Sequence, residues 1–301
     1  MLQPALRLDA AHRPFGATLG SYVRLTKPRV IELLLVTAVP PMVLAQGGFP
    51  SLWLVLAVVV GGALAAGAAN TINCWGERDR DQLMRRTHGR PLPQGEIVPS
   101  HALTFGIALN VVAFVLLATS ANLLAASLTL AATLFYVFVY TLWLKPRTTQ
   151  NIVIGGAAGA VPALVGWAAV RNDLEWPAWL LFAVVFFWTP AHFWALAMKY
   201  RDDYAAAGIP MLPVVRGIQA TTRQIAAYAM VTVSVTFALT LTGAVGQFYA
   251  AAVFVLGALF VARALTLMHD PTPARAIRFF AWSNVYLMLV FVAVAVDALV
   301  S

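Results

Sequence analysis

The chain reads as long apolar runs separated by short polar breaks. Nine runs stand out, near residues 30–46, 52–74, 101–119, 122–143, 150–170, 177–198, 224–242, 247–267 and 277–298. Each approaches the ~20 residues that a helix needs to cross a bilayer's hydrocarbon core. None shows the strict two-residue alternation of a barrel strand. The pattern predicts an all-α, polytopic membrane protein, with residues 1–29 as a tail and residues 30–301 as one nine-helix domain.

Composition agrees: 61% of the 301 residues are hydrophobic and 11% are charged, against roughly a quarter charged in a soluble domain. The mean hydropathy is +0.79. A net charge of +8 invites a nucleic-acid partner, but its distribution points elsewhere. If the N-terminus is cytoplasmic, all but one of the 20 Lys and Arg lie in or beside the N-terminal tail and the loops after the second, fourth, sixth and eighth runs. Arg171 is the exception, beside Asp173 and Glu175. This is the positive-inside bias, so the charge reports topology and no nucleic acid is expected. The tail lacks the short apolar core and small-residue cleavage site of a signal peptide. The single cysteine, Cys74, forms no internal disulfide and reads as a packing residue.

The loops on the opposite side are short and nearly uncharged, as in 46–50 and 120–122. The longest internal loops, near 75–100 and 199–223, each open on acidic residues and then meet a proline-bearing turn, Arg90-Pro91-Leu92-Pro93 and Pro210-Met211-Leu212-Pro213. This hints at a weak duplication of a four-helix unit. Dense small residues, as in 155–160, predict close helix packing.

The polar stretch 73–81 carries the first chemical signal. Asn73, Glu77 and Asp81 are spaced i, i+4, i+8, so a helix puts them on one face. Asp79 lies beside that face. Hard oxygen donors at this spacing suit Mg²⁺ completed by substrate phosphates, and Arg85, Arg86 and Arg90 follow closely enough to meet a polyanion. The plain alternative is a solvated helix end. Asp202 and Asp203 form a second acidic pair, with Lys199 and Arg201 beside them. Tyr140 and Lys145 close the fourth run, where they read either as an interfacial aromatic and a snorkelling lysine or as contacts to a diphosphate, with Asn151 joining from the next run. His192 lies inside the sixth run, near Pro190, and Glu32 inside the first, with Arg29 or Lys27 as partners. Ionisable groups within a span are functional candidates. His192 is suited to ligating iron or moving a proton, or to a structural hydrogen bond.

Asn73-x3-Glu77-x3-Asp81 followed by 84–92 resembles the first acidic motif of UbiA-type intramembrane prenyltransferases. Four further stretches, 25–29, 140–145, 188–196 and 203–213, are similar to the haem-farnesylating branch of that family, and the likeness runs from about residue 20 to the last run. It implies nine helices around a central cavity beneath a cytoplasmic cap, while the Ala-rich composition fits a bacterial inner membrane, with a mitochondrial inner membrane as the alternative, and the loop charges place the C-terminus periplasmic and the active site on the cytoplasmic face. The implied substrates are farnesyl diphosphate and haem B, haem being substrate rather than cofactor, with Mg²⁺ as the cofactor. Asn73, Glu77, Asp79 and Asp81 would hold Mg²⁺. Arg86, Arg90 and Lys145 would neutralise the leaving group, Asp202 and Asp203 would assist, and His192 would serve the haem or a proton. A downstream haem-modifying or oxidase-assembly partner is also implied. Two departures stand out: Glu77 sits where many members carry Asp, and position 207, four after Asp203, is alanine. A quinone-precursor prenyltransferase remains the closest rival and a cation-coupled transporter the remote one.

Overall fold

The computed structural model describes residues 14–300, without the side chains of Phe15 and of residues 29–35. Glu32 and Arg29, raised above as partners, therefore lie outside the described side chains, as does most of the predicted tail. Every regular element among the described residues is helical: α1 (Phe15–Thr26), α2 (Pro28–Gln46), α3 (Leu52–Asp81), α4 (Pro99–Ser120), α5 (Leu123–Leu144), α6 (Asn151–Arg171), α7 (Trp176–Lys199), α8 (Arg201–Ala206), α9 (Leu212–Val215), α10 (Gly217–Ala238, tightening to Thr242), α11 (Gln247–His269) and α12 (Pro273–Val300). Eight of them, α3 to α7 and α10 to α12, are long and apolar enough to cross a membrane. α2, with 19 residues, coincides with the first predicted run.

Three elements differ from the expected pattern, each at the polar end of the bundle. Residues 15–26, expected only as tail, form α1, whose buried Leu25 clusters with Cys74, Leu92, Ile97 and Ala102. α3 continues past residue 74 to Asp81, and α10 begins at Gly217 rather than near 224. Helix continues there because its backbone bonds need no apolar side chains, so hydropathy marks the membrane boundary and not the helix end.

The outward faces are apolar, as on α4 at Ile107, Val111, Val112 and Val115, all about half exposed. That is the polarity of a protein dissolved in lipid rather than water. Inward faces are lined by small residues. A Cβ on Gly166 would run into the backbone carbonyl of Ala38, so α2 and α6 touch only because that side chain is absent. The second half of α5 is wound more widely than an α-helix: residues 135–144 form a π-helix, and the backbone N–H of Lys145 donates to the Tyr140 carbonyl at 2.9 Å. Such wide turns are rare and concentrate at functional sites.

Candidate active site

The last two turns of α3 carry the predicted triad, and each member meets a cation from a different part of the chain. Lys27 Nζ donates to Asn73 Oδ1 at 2.8 Å, and Asn73 Nδ2 donates to Thr141 Oγ1 at 3.1 Å. Glu77 is ion-paired with Lys145. Arg90 Nη1 donates to both Asp81 oxygens, at 3.0 and 2.7 Å. Asn73, Glu77 and Asp81 are almost wholly buried, and Lys145 nearly so. Three cations thus face one amide oxygen and two carboxylates on a single helix face.

Local structure explains how the cations arrive. Lys27 separates α1 from α2 and sits at φ 52°, in the left-handed region, which costs a non-glycine residue roughly 1–2 kcal/mol. Its backbone N–H closes the end of α1 on the Arg24 carbonyl at 3.3 Å, and Pro28 starts the next helix. Asn70 Nδ2 donates to the Thr26 carbonyl at 3.0 Å, fixing that corner to α3. Burial pushes the Lys27 ammonium below its ordinary value, Glu77 opposing it and Arg90 and Lys145 adding to it. Arg90 is brought back by a turn in which Thr87 Oγ1 donates to the Asp81 carbonyl at 3.0 Å. Burial works against its charge, but Asp81, together with Cys74 and Glu77, holds the guanidinium above its usual value. Lys145 is delivered by the wide turns of α5, which also lay the Tyr140 ring 5.9 Å from its Nζ.

The second acidic loop meets the first without joining the triad. The backbone N–H of Arg86 donates to Asp203 Oδ2 at 3.1 Å, and the Arg86 guanidinium lies 5.2 Å from the Tyr200 ring and 6.0 Å from that of Tyr204. Asp202 is exposed. Asp79, expected among the metal ligands, turns off the triad's face: its side chain is 83% exposed, beside Arg78 at 3.8 Å. About half a turn of helix separates Asp79 from the triad, and it falls on the outward side.

Asn151 is fully buried at the start of α6, where Nδ2 donates to the Thr148 carbonyl at 2.6 Å and Oδ1 has no hydrogen-bond partner. His192 lies elsewhere, at the seam of α7 and α12, stacked between Trp188 and Phe280 at 4.1 and 4.4 Å. Its Nδ1 is 2.7 Å from Ser283 Oγ. That hydroxyl donates to the Phe280 carbonyl, so the imidazole Nδ1 carries the proton and leaves Nε2 with a free lone pair.

Beneath the triad runs an apolar cavity of about 310 Å³ between α2, α3, α5, α6 and α7. Asn70, Tyr136 and Tyr140 line its polar end, and Ala38, Val58 and Val165 the other. The stacked rings of Tyr136 and Tyr140, 5.3 Å apart, overhang it. Gly155 permits this: a Cβ there would occupy the space of the Tyr140 ring. Thr189 and Phe193 line the cavity from α7, but their neighbour His192 does not.

A buried helix end with paired acids, three cations and an apolar channel below is a place to hold a polyanion attached to a hydrocarbon. Residues 33–289 match the model of the UbiA prenyltransferase family. The chain belongs to the UbiA prenyltransferase family. Its relatives include the protoheme IX farnesyltransferase of Salinispora tropica, 52% identical over 96% of this chain and 92% of that protein. Protoheme IX farnesyltransferase 1 of Saccharopolyspora erythraea is 53% identical over 97% and 94%, and the Nostoc sp. protoheme IX farnesyltransferase 51% over 96% and 91%. Among solved structures, a digeranylgeranylglyceryl phosphate synthase superposes with a TM-score of 0.77 at 17% identity, covering 94% of this chain and 99% of that one. A UbiA homolog from Archaeoglobus fulgidus bound to DMAPP and Mg²⁺ gives 0.63 at 19%, covering 92% and 99%. At such identities the likeness is one of fold.

Sequence reasoning missed Lys27 and Thr141 as partners of Asn73. Lys27 stood out only as a basic residue near Glu32, and no spacing rule ties residues 46 positions apart. The signal was an interfacial lysine directly before proline, in one of the stretches similar to the family.

Proposed function

We propose that this protein transfers the farnesyl group of farnesyl diphosphate to a vinyl group of haem B, with addition of water, giving haem O and pyrophosphate. The observation that carries the reading is the ring of Lys27, Lys145 and Arg90 around Asn73, Glu77 and Asp81 at the mouth of an apolar channel. The names of the relatives, at about half identity over nearly the whole chain, supply the acceptor.

The donor set fits Mg²⁺: hard oxygens from one amide and two carboxylates, to be completed by phosphate oxygens and water. Among the described residues no three of His, Cys, Asp and Glu lie close enough to hold a metal alone. Asn73, Glu77 and Asp81 would hold it, and when bound it would stabilise charge developing on the departing oxygen. Asp79 is left out of this set.

The chain's own residues do the rest. When the diphosphate enters, Lys145 and Arg90 exchange carboxylate oxygens for phosphate oxygens, and Lys27, held by the Asn73 amide oxygen, gains an anionic partner. These preorganised cations favour the state in which the C1–O bond has broken and the electron pair has left with pyrophosphate. The allylic cation lies beneath the faces of Tyr136 and Tyr140, which stabilise positive charge and exclude water. The terminal vinyl carbon of haem attacks C1, water adds to the carbon left positive, and a proton is released. Arg86 and Asp203 tie the second loop over the mouth. The unpartnered Asn151 Oδ1 awaits a donor there, and His192 offers Nε2 on the acceptor's side.

The charge distribution supports a cytoplasmic N-terminus, with the triad on the cytoplasmic face of a bacterial inner membrane, α2 as a ninth span and the C-terminus periplasmic. On this reading α1, residues 82–98, α8 and α9 form the cap over residues 30–301, and released haem O passes to a haem-modifying or oxidase-assembly partner.

The test is to incubate purified protein in detergent with haem B, farnesyl diphosphate and Mg²⁺ and to detect haem O by mass spectrometry, with Asp81→Asn as control. Haem O from the wild type and none from the variant is the expected result. Turnover of a phenolic or naphthoic acceptor without haem O would replace the acceptor and keep the prenyl chemistry.

A further inference from the structure

The far end of the channel carries an assignment that the chemistry at its mouth does not require. Ala38, Val58 and Val165 line the cavity, and the same three residues belong to a buried apolar cluster with Met42, Leu117 and Ala168. They are therefore its floor: open space on one side, packed side chains on the other. The floor is stiff on two sides. Gly166, next to Val165, lies against the Ala38 backbone with no room for a Cβ, and Gly61, one turn from Val58, is filled by Leu117.

The depth can be read from the helices. From Asn70 to Val58 along α3 is twelve residues, and from Ile152 to Val165 along α6 thirteen, or about 18 and 20 Å at the helical rise. A farnesyl chain has twelve carbons along its backbone and, at the projected length of a carbon–carbon bond, extends to about 14 Å. The remaining space is that of a terminal methyl and the link to the diphosphate. A chain one isoprene unit longer, at about 19 Å, leaves no room for that link within the same depth and meets the floor, while one a unit shorter leaves it unfilled.

We infer that Ala38, Val58 and Val165 form the floor that sets isoprenoid length in this protein, selecting a three-unit chain. The inference rests on the reading of the channel as the prenyl site, but not on haem as acceptor. A floor selects in both directions, because a longer chain must bend or displace packed side chains, whereas a shorter one leaves apolar wall without partner atoms.

The experiment measures competition of geranyl, farnesyl and geranylgeranyl thiodiphosphates, which bind without turnover, on purified protein with Mg²⁺. Wild type should prefer farnesyl. Val58→Ala combined with Val165→Ala deepens the channel and should shift the geranylgeranyl-to-farnesyl affinity ratio by about tenfold towards the longer chain, within the range that one or more missing methylenes command. Val58→Phe should shift the ratio towards geranyl. The two changes act in opposite directions, so a general loss of folding cannot imitate both. Unchanged length ratios in the Ala pair, with farnesyl still bound, would overturn the floor. If lengths shift as expected and no variant or wild type makes haem O, the floor stands and the acceptor assignment falls.

Discussion

The two acidic loops have similar compositions and opposite environments. In the first, Asn73, Glu77 and Asp81 ride the end of an unbroken 30-residue helix, and all three are buried against cations. In the second, α7 stops at Lys199 and the chain restarts as the six-residue α8, leaving Asp202 exposed and Asp203 half-buried on a backbone N–H. Continuity of the helix makes the difference. A helix that runs on from the membrane holds its carboxylates at fixed spacing under the neighbouring elements, whereas one that breaks at the interface lets them turn to water. The same residue types therefore become a buried, ion-paired cluster in one loop and a half-exposed link to the Arg86 backbone in the other.

Breaking the first loop should have the largest effect. Lys145→Met leaves Glu77 buried without its cation, a change that typically costs about 3–5 kcal/mol, and it should lower the thermal midpoint in detergent markedly. Adding Glu77→Gln should recover most of that midpoint without restoring turnover, which separates the pair's structural role from its chemical one. If the double variant turned over substrate, the pair would be structural alone. Arg90→Gln is expected to lower kcat by about 10²–10³, the usual effect of losing one preorganised donor, with a smaller loss of stability because Asp81 keeps the neutral amide as a donor.

Gly155→Ala tests the channel between the loops. The added methyl takes the place of the Tyr140 ring, an overpacking that costs about 1–3 kcal/mol. It should reduce turnover while leaving a soluble, helical protein by circular dichroism. The second loop should respond least. Asp203→Ala removes one hydrogen bond worth about 1 kcal/mol and should raise the KM for the diphosphate more than it lowers kcat. Asp79→Ala and Asp202→Ala should leave both parameters within about twofold, since exposed charges of this kind contribute little. A large loss at Asp79 would restore it to the metal's ligands and undo the comparison.

Much of this was legible in the chain before its fold. The apolar runs gave the starts of several long helices to within a residue, as at 52, 122 and 247, because burial in lipid imposes length and composition together. The i, i+4, i+8 spacing gave the triad because helical geometry is local. Three features were not legible, for one shared reason. Lys27 meeting Asn73, Lys145 meeting Glu77 and Arg86 meeting Asp203 all depend on how helices distant in sequence pack. Asp79 is a finer case: two residues from Asp81, it sits about 200° around the helix, so it lies off the triad's face, and only the packing of α1 and residues 82–98 says which side is inside. The wide turns of residues 135–144 had no sequence signal either, although they set Lys145 and Tyr140 in place.

The separations of the three pairs along the chain also impose an order on biosynthesis. Asp81 finds Arg90 within nine residues and Asn73 finds Lys27 across 46, so both contacts can form as soon as α3 and the turn after it have left the ribosome. Glu77 must wait for Lys145, beyond two more membrane helices. Until α5 is inserted, that carboxylate has no fixed counter-ion, and an unpaired charge is held at the water boundary rather than in the apolar layer. The nascent first half therefore keeps the end of α3 wet, and the dry chamber closes only when α5, the fourth long helix, arrives with its lysine.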